Sequence, residues 1–404
     1  MLQSTLGLLT LLQCPTINSS DSILIAFHMQ KREYIKHFIH STFHPLDAQL
    51  SLTPIGEINT ASQSQLSLSD IHKHIRDKDS SLQSDTTHKH TTHKHTTHKH
   101  HWLYNTNRWK QIKNKLLFIQ QDDLWHQAQQ KASDLLEICH QHAIKVTHYF
   151  APDYPPLWRL YQHAPAIIYY KGHLRSIPSI TIVGTRTPHA WSHTVTQSLT
   201  HITVAKQWGT VSGLALGIDT HVHASTLQYQ GYTMAILAHG LEHIYPSGNQ
   251  RLAHRILDQG GVLVSEYPPY SEINRARFVQ RNRLQSASSI ATCMVQSRKN
   301  GGSMHTVRFA LQQDRYIAVP QVPLYLLQKH QTSFMGNIDL YNQSVSPISY
   351  TTKPSMPSIP TIQCIGDPKI YETYLNHLTI QDQSMRQKAN LLYAHLMNQT
   401  HPST

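Results

Sequence analysis

The chain has 404 residues, which is enough for two or three domains and for a sizeable core in at least one of them. Charged residues make up only 14%, but 35 Lys and Arg outnumber 23 Asp and Glu, and the net charge of +12 favours a polyanionic partner such as nucleic acid. The four cysteines stand far apart without a Cys-x-x-Cys pair, so the sequence indicates neither a disulfide framework nor a cysteine zinc site.

The first fifty residues carry apolar patches that predict a helical N-terminal region over 1–50. The longest apolar run, 6–12, is far shorter than the ~20 residues needed to span a bilayer. No basic residue precedes this run, whereas a signal peptide has a positively charged segment before its apolar run. We therefore expect a cytoplasmic protein without a membrane partner.

Residues 51–101 form a low-complexity linker rich in Ser, Thr and His, in which Thr-Thr-His-Lys-His repeats three times over 86–100. Such a segment buries too little apolar surface to offset its ordering entropy, so we predict that it is disordered. A weak metal site and an arm that becomes cationic near pH 6 are alternative interpretations of the histidines.

Residues 102–178 are predicted to be lead-in helices and strands that pack on the core. Apolar spacing over 122–142 predicts an amphipathic helix. Strands are predicted over 144–147 and 165–172, on either side of a Pro-marked turn.

From 179 to 322 short apolar runs alternate regularly with helical patterns. The predicted strands are 180–183, 210–212, 233–238, 262–265, 290–295 and 316–319. The predicted helices are 190–208, 218–230, 249–259, 278–286 and 304–312. This alternation predicts a doubly wound α/β domain with parallel strands and crossover helices.

The remaining residues, 323–404, open as a Pro- and Ser-rich linker and close with helical patterns over 370–378 and 385–397. No strand is expected in this tail. Leu391, Leu392 and Leu396 form an apolar stripe that could dock on the main domain or on a partner.

Several glycines, hydroxyl residues and two basic residues follow strands of the predicted sheet, where ligands bind in open parallel sheets. These residues are Gly184, Thr185, Arg186, Ser212, Gly213, Gly217, Lys299, Gly302 and Ser303. No G-x-G-x-x-G fingerprint or P-loop is present, so the pattern indicates an anion site rather than a dinucleotide or nucleoside triphosphate site.

A basic segment carries Arg275, Arg277, Arg281 and Arg283, interrupted by Phe278. Residues 178–325 hold twelve Lys and Arg against six Asp and Glu, a net of +6. Guanidinium groups bind phosphates bidentately and an aromatic ring offers a stacking face for a base, so this composition indicates a strand of phosphates rather than a mononucleotide.

The sequence gives little support for catalysis. Asp219, His221 and His223 cluster at a helix start, but we predict that Asp219 caps that helix. No H-E-x-x-H or G-x-S-x-G motif and no clustered carboxylate pair is present. We therefore predict no catalytic residue, no metal, no cofactor and no enzymatic activity.

Six motifs, taken together, resemble those of the DNA-processing protein A family (DprA, also called Smf). They are Gly184-Thr185-Arg186, the segment from Ser212 to Asp219, the segment from Gly240 to Pro246, Ser265-Glu266-Tyr267-Pro268, Phe278-x-x-Arg281-Asn282-Arg283 and Gly301-Gly302-Ser303-Met304. The resemblance covers about 124–322. The chain departs from it at Leu216 and Gln321, where many members carry Arg and Gly, and it shows no convincing winged-helix tail.

The resemblance implies an extended Rossmann-like domain that binds and protects incoming single-stranded DNA, loads the RecA recombinase onto it during natural transformation, and forms a homodimer. It also implies that Arg186 and Arg275 grip phosphates and that Phe278 lies in the DNA groove. Arg281 and Arg283 would stand beside it, with Ser212, Gly213 and Ser303 as donors. The alternatives are a nucleoside monophosphate hydrolase on a related fold and a drifted paralogue that binds a protein partner.

Overall fold

A computed structural model of the chain describes residues 9, 12, 13, 124–343 and 362–398. All of them belong to one compact unit. The predictions for 1–50 (apart from the helical residues Leu9, Leu12 and Gln13), for the His-rich linker and for the Pro- and Ser-rich segment from 344 lie outside the described residues. Within the described residues no helix has both the length and the apolar character that crossing a bilayer requires.

Nine strands form a single sheet in the order β1-β2-β6-β5-β4-β3-β7-β8-β9. The strands are β1 Lys145–His148, β2 Ile167–Gly172, β3 Ser179–Val183, β4 Gly209–Ser212, β5 Thr233–Leu237, β6 Val262–Ser265, β7 Ala291–Met294, β8 Tyr316–Pro320 and β9 Ile362–Ile365. In this spatial order the seven strands from β6 through β3 to β9 pair in parallel with their neighbours. At one edge of the sheet, β1 pairs antiparallel with β2, and β2 pairs antiparallel with β6. The predicted doubly wound, mostly parallel sheet is confirmed.

Helices connect the strands and cover both faces of the sheet. They are α1 Leu124–Gln141, α2 Pro156–Arg159, α3 Ala190–Ala205, α4 Ile218–Gln228, α5 Gln250–Asp258, α6 Arg275–Ala287, α7 Gly302–Gln312, α8 Leu324–His330, α9 Met335–Tyr341 and α10 Pro368–Asn398. One buried core cluster joins β3 and β7 to α3, α4 and α10, and another joins β7 and β8 to α7. The strands are buried almost throughout, as parallel strands covered on both faces are.

The tail differs from the expectation that it contains no strand. Ile362–Ile365 pairs in parallel with β8, with Ile317 opposite Ile362 and Pro320 opposite Ile365. This run has only four residues with Gln363 among them, too short and too polar to stand out as a buried strand from its sequence. The two helical patterns that follow belong to the continuous helix α10, because no Gly or Pro interrupts the residues between them.

The strand order reverses between β3 and β7, which makes this position the switch point of the sheet. Strands β3 to β6 extend to one side in sequence, and the chain then returns to add β7, β8 and β9 on the other side of β3. The loops that leave β3 and β7 therefore lie side by side at the carboxyl edge, that is, the side of the sheet on which the parallel strands end, and this is where ligands bind in doubly wound sheets.

Candidate nucleic-acid interface

Three loops meet at this switch point. The Thr185 N–H donates to the Gln296 carbonyl at 2.9 Å, which joins the loops after β3 and β7. The Ile218 N–H donates to the Thr185 carbonyl at 3.1 Å, which joins the loop after β3 to the start of α4. The predicted segments at 184–186, 212–217 and 299–303 thus belong to one edge of the sheet.

Gly217 is needed for this close approach. Its φ is +80°, and a Cβ at this position would overlap the backbone of Thr185 and Arg186. Gly184 lies equally close to the Ile218 side chain. The glycines therefore pack the three loops against one another, and the Arg186 side chain is left exposed.

The Arg186 guanidinium lies over an aromatic ring. Its Cζ is 5.7 Å from the centre of the Phe278 ring, within the range of a cation–π contact. The Tyr245 ring lies 5.8 Å from the same phenyl ring, and Tyr245 is 44% exposed. A cation from the loop after β3, an aromatic ring from the loop after β5 and an aromatic ring from helix α6 thus form one surface patch.

Helix α6 begins three residues earlier than predicted, because Asn274 is extended and its side chain accepts a hydrogen bond from the Arg277 N–H at 3.0 Å. This cap brings Arg275 into the first turn of the helix, where it is exposed. Residues three apart on a helix share a face, so Arg275 and Phe278 lie on the same side of α6.

Arg281 is the predicted site residue whose placement differs most from the expectation. It is 4% exposed, and its Nη1 donates to the carbonyls of Gly213 and Ile236 at the ends of β4 and β5. Burial lowers its pKa to about 10, and nearby Asp219 opposes that shift. Arg281 therefore holds strand ends together from inside, and its guanidinium is not available to a ligand at the surface.

The prediction that Asp219 caps α4 is wrong, because Gly217 occupies the cap position. Its Oδ2 instead accepts hydrogen bonds from the Gly213 N–H at 3.0 Å and the Ala215 N–H at 3.4 Å. Burial raises the pKa of this carboxyl group, while Arg281 and these hydrogen bonds oppose the increase. The aspartate thus stabilises the loop before the helix.

Three more predicted site residues use their polar groups within the protein. The hydroxyl of buried Ser212 donates to the Ile182 carbonyl at 2.8 Å, and the Ser303 hydroxyl donates to Ser297 at 2.9 Å. Arg283 forms an ion pair with Glu266. These groups shape the edge of the sheet rather than extending from it.

The loop after β7 adds exposed cationic and N–H groups. Lys299 and Gly302 are both exposed, and nothing lies within 4 Å of a Cβ placed on Gly302. Gly302 and Ser303 open α7, and the first N–H groups of a helix have no carbonyl partner within that helix. A helix start beside exposed Lys299 suits an anion.

Sequence reasoning missed Tyr245 and Arg298 as surface groups. Tyr245 belongs to a motif quoted for the family resemblance, and an aromatic followed by Pro in the loop after a predicted strand was the signal that could have found it. Arg298 is exposed beside Lys299. Among the described residues no three His, Cys, Asp or Glu side chains are grouped so as to hold a metal ion.

The family model for DNA recombination-mediator protein A matches residues 145–349, that is 205 of the 404 residues. The chain belongs to the DprA/Smf family. Among its relatives are the DNA processing protein DprA of Bacillus subtilis, 34% identical over 201 residues, and the protein Smf of Synechocystis, 35% identical over 179 residues.

These DprA/Smf matches cover 46% and 43% of this chain, and 67% and 45% of the respective relatives. The X-ray structure of DprA from Streptococcus pneumoniae has a similar fold, with a TM-score of 0.50 at 22% identity, over 61% of this chain and 86% of that one. The predicted DprA/Smf membership and the Rossmann-like fold are thus confirmed.

Proposed function

We propose that the protein binds single-stranded DNA along the carboxyl edge of the sheet and acts by binding rather than by catalysis. The observation that carries the proposal is the surface patch in which Arg186 lies over Phe278 beside exposed Tyr245. Exposed Arg275 lies on the same side of α6 as Phe278, and exposed Lys299 lies in the loop after β7 at the same edge of the sheet.

Three carboxylates at this edge, those of Glu266, Glu242 and Asp219, make contacts within the protein and are not paired with the exposed cations Arg186, Arg275 and Lys299. Glu266 pairs with Arg283, and the Oε1 of Glu242 lies 2.6 Å from Nδ1 of His243. Asp219 is buried on loop N–H groups. A phosphate that approaches Arg186 therefore meets cations whose charge these acids do not neutralise.

The chemistry favours an unpaired strand with little sequence preference. Arg186, Arg275 and Lys299 would contact phosphates, while Phe278 and Tyr245 offer ring faces on which bases stack. Stacking contributes about 1–3 kcal/mol per base and requires bases that are not already stacked in a duplex. Phosphate contacts release counterions, so affinity should fall steeply as salt rises.

The first experiment measures fluorescence anisotropy of a labelled single strand of about 35 nucleotides over a salt series at pH 8. The variant Arg186→Ala/Arg275→Ala should bind roughly a hundredfold more weakly, because two charge-assisted contacts of about 1.5 kcal/mol each are lost. Its plot of log affinity against log salt should be shallower by about 0.7 for each contact removed.

A matched control is Arg175→Ala/Arg255→Ala, which removes two exposed arginines away from the carboxyl edge of the sheet. The control should bind like the wild type, and a duplex of equal length should compete poorly. Equal losses in the two double variants would mean that net charge alone causes binding, and failure of the wild type to bind at low salt would overturn the proposal.

Two further proposals concern partners. The description of the matching family as recombination mediators supports transfer of the bound strand to the RecA recombinase during transformation. The family resemblance and an exposed apolar pair on α8, Leu324 and Tyr325, support a homodimer.

A further inference from the structure

A pair of histidines lies beside the surface patch of Arg186, Phe278 and Tyr245, which is called the DNA patch below. His193 is in the first turn of α3 and His221 is in the first turn of α4. Their ring centres are 3.7 Å apart, the rings are nearly perpendicular at 89°, and both side chains are partly exposed.

Backbone hydrogen bonds place this histidine pair one helical turn from the loop that carries Arg186. The His221 N–H donates to the Gly217 carbonyl at 3.1 Å, and Gly217 packs on the backbone of Arg186. The His193 N–H donates to the His189 carbonyl at 3.4 Å, and His189 caps α3 three residues after Arg186. The pair therefore continues the edge of the DNA patch over two helix N-termini.

The surroundings leave the charge of the pair uncompensated. On α4, Asp219 bonds to loop N–H groups and buried His223 bonds to Thr233. Lys206, just after α3, pairs with Glu372 of α10 at the far end. The neighbouring helix α5 contributes the exposed groups Arg251, His254, Arg255 and Asp258. Among the described residues neither ring is in an ion pair with a carboxylate.

Two imidazoles in contact repel each other when both are charged, so a proton on one ring disfavours a proton on the other. Burial and the neighbouring His193 ring lower the pKa of His221. An anion in contact with the pair would stabilise the imidazolium form and raise that pKa again. Binding of an anion should therefore take up a proton at neutral pH.

We propose that the His193–His221 pair is a further phosphate-binding site of the DNA path, one that engages a phosphate when one imidazole is protonated. This inference rests on the proposed function, because the phosphate belongs to the same single strand that Arg186 contacts. The pair makes affinity rise as pH falls from 8 to 6, and it adds a phosphate contact to those of the arginines.

The test compares Kd at pH 8 and pH 6 for the full chain and the ~35-nucleotide strand, at constant ionic strength with EDTA present. Affinity gains at most about tenfold for each unit by which binding raises the pKa of the pair. The ratio of the two Kd values should be roughly fivefold larger in the wild type than in His193→Gln/His221→Gln. Calorimetry in buffers of different ionisation enthalpy at pH 7 should show that the variant takes up fewer protons on binding.

His201→Gln is the matched control, since His201 is exposed on α3 with its ring on Tyr229, away from the pair. It should keep the wild-type ratio. His193→Lys, which carries a permanent charge, should show the smaller pH ratio of the double glutamine variant and should bind more tightly than that variant at pH 8. Equal ratios in the wild type and the double variant would overturn this inference alone, whereas absence of DNA binding at both pH values would overturn it together with the proposed function.

Discussion

At the scale of single residues, two arginines from neighbouring motifs have opposite roles. Arg186 is exposed over Phe278, whereas Arg281 is buried with its Nη1 bonded to the ends of β4 and β5. Removing a buried charge that satisfies other groups costs about 3 kcal/mol or more, because its partners are left unpaired. Arg281→Met should therefore lower the free energy of unfolding by about that amount, measured by urea denaturation.

Arg186→Ala is the matched comparison, since Arg186 is exposed and its one internal contact is the cation–π contact with Phe278, which contributes about 0.5–1 kcal/mol at an exposed site. We expect it to unfold within about 1 kcal/mol of the wild type and to bind DNA roughly tenfold more weakly. If Arg281→Met unfolded at the wild-type urea concentration, the internal role assigned to Arg281 would be wrong.

At the scale of elements, α10 docks with one face only. Tyr371, Tyr374, Leu375 and Leu378 lie in the core cluster, whereas Leu391 on the same helix is 63% exposed. Leu375→Ala should cost about 2–5 kcal/mol of unfolding free energy, because it leaves a cavity between α10 and the sheet. Leu391→Ala should change it by about 0.5 kcal/mol or less. Similar unfolding midpoints for the two variants would contradict this assignment of the docking face.

The sequence predicted the strands of the main domain well, because buried runs such as Ile180–Val183 stand out between helical patterns. It could not predict the strand Ile362–Ile365, which acquires its role only through the exposed edge of β8. It also could not separate Arg186 from Arg281, because burial depends on which loops meet in space. A motif shows that two residues belong to one region, and the packing determines which of them extends outward.

The apolar stripe predicted near the C-terminus, as a docking face for the main domain or a partner, shows the same limit. Leu396 is 1% exposed and Leu391 is 63% exposed, although the spacing places both on one stripe. The face that docks is fixed near the start of the helix, where Tyr371 and Leu375 pack in the core cluster. Periodicity therefore predicted the helix, whereas its packing against the core determined which of its side chains are buried.

At the scale of the whole molecule, one exposed apolar pair on α8 bears on whether the chain forms a dimer. Leu324 is 70% exposed and Tyr325 is 58% exposed, next to each other at the start of α8. Exposed apolar pairs of this kind mark interaction surfaces, and a two-fold dimer uses the same patch on both subunits. We propose that a second copy of this chain covers the pair.

Leu324→Glu/Tyr325→Glu should therefore halve the mass measured by light scattering, because a dimer would place four buried carboxylates without partners in its interface. Two linked DNA sites bind a long strand by avidity, so the variant should lose affinity for a strand of ~35 nucleotides but not for one of ~10. Ile380→Glu, which changes a half-exposed residue on α10, should leave mass and affinity unchanged. A variant that kept the wild-type mass would place the dimer surface elsewhere, whereas a halved mass with unchanged affinity would show that each subunit binds DNA independently.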